Sequence, residues 1–322
     1  MAYEFGANET VREAILRCAS EQLDRAVAEL SEGINQDPAR AVHNARKAIK
    51  KERSLLRLSR GAMPAKQRRR ENAALRDAAR GLSGARDAVV MIGALDGLAS
   101  HFAGQLPSST FDAIREQLES RQRQAAAGSN GSALEPKAVQ ELGAVRLRIE
   151  DWKLSDDGWE TLEAGLTRSF KRGQKAFARA RRTKSAEAMH AWRKRVKDLW
   201  YQQRLLAETC GPAVRGQAKD AHRLADLLGD DHDLSVLRDE LTERPMPVPA
   251  DVAAVVKLLD HRREELQTEA IHLGKRVYAE SPKAFRRRMR RWWSAGRALA
   301  FEPVEARPAE VAAATREPGV MA

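Results

Sequence analysis

Residues 42–50 read VHNARKAIK, and a similar stretch, MHAWRKRVK, occupies residues 189–197, 147 positions further along from His43 to His190. Both stretches place His, Arg, Lys and Lys at the same relative spacing, so that the last lysine follows the histidine by seven residues. Residues three, four and seven apart share one face of an α-helix. The match therefore predicts two copies of one amphipathic helix with a basic stripe.

A second pair of matching segments lies downstream of the first, at residues 82–87 (LSGARD) and residues 228–233 (LGDDHD). The two blocks keep their order and nearly the same separation, which indicates a duplicated helical unit. We predict one bundle over residues 1–153 and a second over residues 154–301, related by a pseudo-two-fold axis. The Pro- and Ala-rich residues 302–322 are predicted to be a disordered tail.

The composition favours helix almost everywhere, because Ala, Leu, Arg and Glu dominate and only 5% of residues are aromatic. Asp37-Pro38 and Ser185 predict helix starts, and Gly211-Pro212 predicts a stop followed by a new start. The helix beginning at Pro212 is expected to end at Gly229, with a short helix following to about Arg244. We predict an all-α fold of two antiparallel bundles around a basic central groove or pore.

Several classes of protein are excluded by what the 322 residues lack. Two cysteines are too few for a disulfide framework or a thiolate metal site. No apolar run is long enough to span a membrane, and the first residues do not resemble a signal peptide, so we expect a cytoplasmic protein. Phosphate-binding loops, serine-hydrolase elbows and zinc-protease motifs are absent, and we expect no enzyme activity and no cofactor.

The net charge of +12 is distributed unevenly. Residues 40–70 hold 12 basic and 1 acidic side chains, residues 165–204 hold 13 and 2, and residues 283–297 hold 7 and 0. A generic protein surface mixes both signs, whereas concentrated basic segments are typical of a site for a polyanion.

On a helical wheel, the basic stripe of each repeated helix borders the apolar face and therefore faces the groove beside a neighbouring helix. Two such stripes would line one cationic channel for a linear, densely charged anion. Nucleic acid suits the charge, but a single-strand channel is expected to carry stacking aromatics, and a duplex needs a docking motif. Inorganic polyphosphate, which has no bases to read, fits the residues better.

The sequence resembles the CHAD family, named for a conserved histidine α-helical domain. The resemblance covers about residues 8–300 and rests on the two histidine segments, on residues 227–234 (LLGDDHDL) and on residues 170–175 (FKRGQK). It implies two four-helix-type bundles around a basic pore, binding of inorganic polyphosphate, and association with polyphosphate granules in bacteria.

The resemblance also implies which residues bind polyphosphate, helix by helix. Two positions of the second copy depart from the pattern, because Asp198 stands where the first copy has Lys51, and Trp200 stands where it has Arg53. The second stripe is therefore expected to be the thinner one. The predicted binding residues are His43, Arg46, Lys47, Lys50, Lys51, Arg53 and Arg57 in the first copy, and Arg172, Lys175, His190, Arg193, Lys194, Lys197 and Arg204 in the second.

Other interpretations stay open at this point. The chain is alternatively a nucleic-acid-associated protein, or a metal-dependent phosphohydrolase that uses His232 and Asp233. His43 and His190 either contact phosphate or form hydrogen bonds between helices. The basic segment at residues 283–297 either lies on a membrane surface or packs its tryptophans on the bundle.

Overall fold

The computed structural model describes residues 3–82, 87–128, 134–155, 158–244 and 249–301, and these residues fold into eleven α-helices without a β-strand. The prediction of an all-α protein is confirmed. The predicted disordered tail and most of the repeat block at residues 82–87 lie outside the described residues. The helices are α1 (Val11–Ser31), α2 (Pro38–Leu58), α3 (Ala65–Gly81), α4 (Asp87–His101), α5 (Ser108–Gly128), α6 (Leu134–Leu147), α7 (Trp159–Thr183), α8 (Ala186–Cys210), α9 (Pro212–Glu243), α10 (Pro249–Val277) and α11 (Pro282–Phe301).

Side-chain caps begin the two helices that carry the repeated histidine segment. The Asp37 carboxylate accepts a hydrogen bond from the backbone N–H of Arg40, with Pro38 as the first residue of α2. The Ser185 hydroxyl accepts from the N–H of Ala188 at the start of α8. Such caps satisfy backbone donors that have no partner within the helix. Both predicted helix starts are confirmed.

The prediction that Gly229 ends a helix is wrong, because α9 continues without interruption from Pro212 to Glu243. Glycine costs a helix about 1 kcal/mol relative to alanine, which packing can offset. Gly229 is buried, and a Cβ atom at this position would lie 3.1 Å from Nη2 of Arg193. The glycine lets the guanidinium group of α8 lie close against the backbone of α9.

The hydrophobic side chains form two clusters that both combine helices from the two halves of the chain. The larger cluster joins α1, α2, α3 and α6 with α7, α8 and α11, together with parts of α9 and α10. The smaller cluster joins α4 and α5 with the remaining parts of α9 and α10. The division of the chain at residue 153 therefore stays a prediction about the internal repeat.

The two histidine helices cross in direct contact near the C-terminal end of α2 and the middle of α8. The Ser54 hydroxyl donates to the carbonyl oxygen of Asp198 over 3.1 Å, and Nε2 of Gln202 donates to the carbonyl oxygen of Ser54 over 3.3 Å. Both hydrogen bonds are buried. They hold α2 and α8 together at one crossing point, beside which the basic side chains of both helices lie.

The third basic segment packs on the bundle through its tryptophans. Trp293 is buried, with its ring centroid 6.2 Å from that of Trp159. Nearby arginines are paired with carboxylates, Arg288 with Glu280 and Arg290 with Glu160. Of the two interpretations of residues 283–297, packing on the bundle agrees with these contacts. Within the described ranges, no helix has the length and apolar character needed to cross a membrane.

Candidate polyanion-binding site

A cavity of about 440 Å³ opens where α2, α8 and α9 meet beside the start of α4. Eight lysine and arginine side chains line it, together with two histidines and two aspartates, and we call it the cationic cavity. Walls of low dielectric concentrate the field of such a group of charges, so the cavity attracts anions. Its lining residues are Arg46, Lys50, Arg53, Arg57, Val90, His190, Arg193, Lys194, Arg195, Lys197, Asp198, Tyr201, His232, Asp233 and Val236.

The contribution of α2 is a single stripe of four basic residues, Arg46, Lys50, Arg53 and Arg57. Their spacing of four, three and four residues keeps them on one helix face over about 16 Å. Arg46 donates to the carbonyl oxygens of Ala79 and Leu82 over 2.9 and 3.0 Å, which ties the end of α3 to this stripe. Burial, followed by repulsion from Arg57, lowers the pKa of Arg53 to about 10, which leaves it charged at neutral pH.

Two histidines form the opposite wall of the cationic cavity. The ring centroids of His190 on α8 and His232 on α9 lie 4.0 Å apart. Burial, repulsion from His232 and the nearby charges of Lys194, Arg193 and Lys50 lower the pKa of His190 to about 4. Burial and Arg193 also lower the pKa of His232. Both rings are therefore neutral at pH 7 and become favourable proton acceptors when negative charge enters the cavity.

Asp198 joins the basic residues of the two helices instead of binding an anion. Its carboxylate oxygens lie 3.1 Å from Nη1 of Arg57 on α2 and 3.0 Å from Nη1 of Arg195 on α8. The carboxylate holds both guanidinium groups at the edge of the cavity and lowers the repulsion between them. The departure from the repeat at this position therefore supports the cationic site.

A second cavity, of about 240 Å³, continues from the first, since Arg57 and Arg195 line both. Six arginines line it, and no acidic side chain is among its described lining residues, so we call it the arginine cavity. Pairs of residues four apart supply it from α3 (Arg68, Asn72) and from α7 (Arg168, Arg172). The remaining lining residues are Leu56, Arg57, Arg60, Ser169 and Arg195.

Some nitrogen atoms around these cavities are buried without a hydrogen-bond acceptor among the described residues. They are Nε of Arg193 and Nε of Arg68. A buried donor without an acceptor costs about 1–3 kcal/mol, and a bound oxyanion would supply the acceptor. These atoms favour a ligand rich in oxygen atoms.

The two cavities bring together nine of the fourteen residues predicted to bind, and the other five lie elsewhere. Lys51 is buried with its Nζ 5.0 Å from the ring centroid of Tyr3, and burial lowers its pKa to about 8. Arg204 lies 3.9 Å from a carboxylate oxygen of Glu4. His43, Lys47 and Lys175 are exposed and do not line either cavity. The nine that line the cavities are Arg46, Lys50, Arg53, Arg57, Arg172, His190, Arg193, Lys194 and Lys197.

Several residues that line the cavities were not predicted from the sequence. Arg195 has no basic counterpart in the first copy, where Ala48 occupies the matching position, and its helical position lies outside the basic stripe. Arg60 and Arg68 lie in a counted basic window but outside the repeated segment. Arg168 precedes Arg172 by one helical turn, and this spacing is the pattern that could have identified it.

The metal-site interpretation of His232 and Asp233 finds no support in the side-chain arrangement. Among the described side chains, no three from His, Cys, Asp and Glu gather as metal ligands. His232 instead lies against His190 with the two ring planes tilted by 35°, and both rings lie near cationic groups.

Comparisons with known proteins agree with the fold. Residues 17–242 match the family model of the CHAD domain. The CHAD domain from the plant Ricinus communis superimposes with a TM-score of 0.53 at 19% sequence identity, over 90% of this chain and 94% of that one. PptA from Streptomyces chartreusis gives a TM-score of 0.55 at 12% identity, over 84% and 100% of the respective chains. Curated proteins give no significant match.

Proposed function

Because the chain belongs to the CHAD family, we propose that it binds inorganic polyphosphate, in the cationic cavity and onward into the arginine cavity, without hydrolysing it. One observation carries the proposal: two adjoining cavities are lined by basic side chains from α2, α3, α7 and α8, with only two carboxylates among their described lining residues. Arginine binds phosphate oxygens through two parallel hydrogen bonds, and lysine adds point charge.

The lining favours an inorganic chain over a nucleic acid. Apart from the two histidines, Tyr201 is the single aromatic residue among the described residues that line the two cavities. A channel for single-stranded nucleic acid usually stacks successive bases on several aromatic side chains. A chain of phosphates needs no stacking surface, and its charge density matches closely spaced cations.

The proposal extends to the repeat and to location in the cell. We take α2 and α8 as equivalent helices of a duplicated unit, each supplying one wall of the cationic cavity. A protein that holds long polyphosphate in this way is expected to accompany polyphosphate granules. Release of orthophosphate from polyphosphate on addition of divalent metal would contradict the non-catalytic part of the proposal and favour the phosphohydrolase alternative.

Binding is expected to strengthen with phosphate chain length and to weaken steeply with salt. Each neutralised phosphate releases counterions, so about eight contacts predict a loss of affinity on the order of 10³-fold between 50 and 200 mM salt. A mobility or filter-retention assay with polyphosphates of several lengths, at both salt concentrations, measures this dependence.

Single-stranded DNA of equal total charge serves as the comparison ligand in the same assay. We expect DNA to bind at least tenfold more weakly than long-chain polyphosphate at 150 mM salt. Equal affinity for both would overturn the assignment and favour a nucleic-acid-associated protein.

Binding is also expected to take up protons and to tighten as the pH falls from about 8 to 5. The pKa of His190 is about 4 without ligand, and the pKa of His232 is also lowered. A bound polyanion adds opposite charge beside both rings and raises these pKa values, so affinity increases by up to about tenfold per pH unit for each histidine that becomes protonated. Titration calorimetry in buffers of different ionisation enthalpy counts the protons.

The other ionisable groups that face the histidine pair are Lys50 on α2, Arg193 and Lys194 on α8, and Asp231 and Asp233 on α9. The experiment uses long-chain polyphosphate because its terminal phosphates, which also titrate, are a small fraction of the ligand. A change of affinity with pH then reports on the protein. His190→Gln should flatten the pH dependence, whereas His43→Gln, outside both cavities, should leave it unchanged. A wild-type affinity that does not vary between pH 5 and 8 would refute the role of the pair.

A further inference from the structure

A further cavity adjoins the cationic cavity and shares no described lining residue with the arginine cavity. It has a volume of about 450 Å³ and lies between α4, α9 and α10. Val90 and Asp233 line both this space and the cationic cavity, so the two are neighbours with a common wall. The volume falls within the range of small-molecule sites. We call this space the α4–α10 slot.

Bare helix backbone forms one side of the slot. A Cβ atom added to Gly93 or Gly97 of α4 would meet no atom within 4 Å, which means that open space lies above both glycines. The apolar side chains Leu98, Leu234 and Leu266, each at most 5% exposed, line the slot as well. A surface of glycine backbone and leucine side chains accommodates a flat, weakly polar group.

The described lining of the slot holds two carboxylates, whereas the cationic cavity is dominated by lysine and arginine side chains. Asp230 and Asp233 on α9 both line it, and burial together with the Asp233 charge raises the pKa of Asp230. Arg262, the one arginine among its described lining residues, is paired with Glu265 over 2.7 Å. Carboxylates repel phosphate but accept hydrogen bonds from hydroxyl and amino groups. The slot is therefore unsuited to more phosphate and suited to an uncharged hydrogen-bond donor.

We propose that the two adjoining cavities bind a nucleoside polyphosphate, with its phosphates in the cationic cavity and its base and ribose in the α4–α10 slot. The base would lie over Gly93 and Gly97, and Asp230 and Asp233 would accept hydrogen bonds from the ribose hydroxyls or the exocyclic amine. This inference rests on the proposed function, because the cationic cavity must first accept phosphate groups.

Direct binding of ATP and of tripolyphosphate tests the inference, since both carry three phosphates and only ATP carries a nucleoside. Calorimetry with EDTA present is expected to give at least tenfold tighter binding for ATP than for tripolyphosphate. Gly97→Leu fills the slot from α4, and it is expected to lower the affinity for ATP at least tenfold and to leave that for tripolyphosphate unchanged.

Gly143→Leu is the matched control, because Gly143 lies on α6 and also has no atom within 4 Å of an added Cβ. It should change neither affinity. Gly93→Val, whose circular dichroism is compared with that of the wild type, provides a second blocking variant should Gly97→Leu fail to fold.

The outcomes separate this inference from the proposed function. If wild-type protein binds tripolyphosphate and long-chain polyphosphate but binds ATP no more tightly than tripolyphosphate, the nucleoside site is overturned while the polyphosphate site stands. If folded Gly97→Leu or Gly93→Val weakens both ligands equally, the slot does not recognise the nucleoside and the inference fails. If no phosphate compound binds wild-type protein at all, the proposed function fails first.

Discussion

The double variant Lys50→Glu/Lys194→Glu is expected to bind long-chain polyphosphate about 100-fold more weakly than the wild-type protein. Lys50 on α2 and Lys194 on α8 line the cationic cavity from two helices, and both charges lower the pKa of His190 between them. Reversal places two carboxylates beside the ligand, and juxtaposed like charges cost several kcal/mol. Fluorescence anisotropy or filter retention at fixed salt measures the loss.

Both lysines are exposed, so their replacement should leave the helical circular dichroism and the melting temperature close to those of the wild type. The matched control is Lys137→Glu/Lys257→Glu, which changes the net charge equally at two exposed positions on α6 and α10 that line neither cavity. We expect the control to weaken binding less than threefold. Equal losses in the two double variants would mean that net charge, and not the cavity, determines affinity.

Gly165→Ala is expected to cause a large loss of stability from a single added methyl group. Gly165 of α7 packs directly on the end of α2, and a Cβ at this position would lie 2.0 Å from the carbonyl oxygen of Leu58 and 2.5 Å from that of Arg57. Backbone atoms cannot rotate away from the added methyl group as a flexible side chain can. The two helices must therefore move apart. We expect the free energy of unfolding to fall by about 3 kcal/mol or more and the melting temperature to fall by at least about 6 °C.

Gly143→Ala provides the control for helix propensity, because the added methyl group meets no atom within 4 Å. Alanine at a helical glycine that fits without strain should raise stability by about 0.5–1 kcal/mol. Thermal and urea unfolding monitored by circular dichroism compare the two variants. A Gly165→Ala protein as stable as Gly143→Ala would show that α2 and α7 do not approach so closely.

Gly165→Ala also tests how the arginine cavity is assembled. Arg168 and Arg172 follow Gly165 on α7, while Arg57 lies at the contact on α2. Separation of the helices would widen the cavity between these arginines. The folded fraction of the variant should therefore bind polyphosphate more weakly than the Gly143→Ala control.

The repeated histidine segment allowed the two central helices, their caps and much of their basic stripe to be predicted. Arg46, Lys50, Arg53 and Arg57 face one cavity because residues at such spacing share a helix face whatever the helix packs against. Lys51 and Gly229 show where this reasoning ends. Helical periodicity does not show that Lys51 packs against the ring of Tyr3, nor that α9 continues through Gly229 with Arg193 beside it.

By itself, the sequence determined the helical fold, the positions of the two basic helices and the sign of the charge they carry, because helix propensity, capping and periodicity act between residues close together in the chain. Only the tertiary structure decided that Asp198 pairs with Arg57 and Arg195, that arginines from four helices share a second cavity, and that a slot with two carboxylates adjoins the first. These features depend on which helix faces meet. Which faces meet depends on how side chains from distant segments of the chain pack together. A single sequence contains no local pattern that predicts this packing.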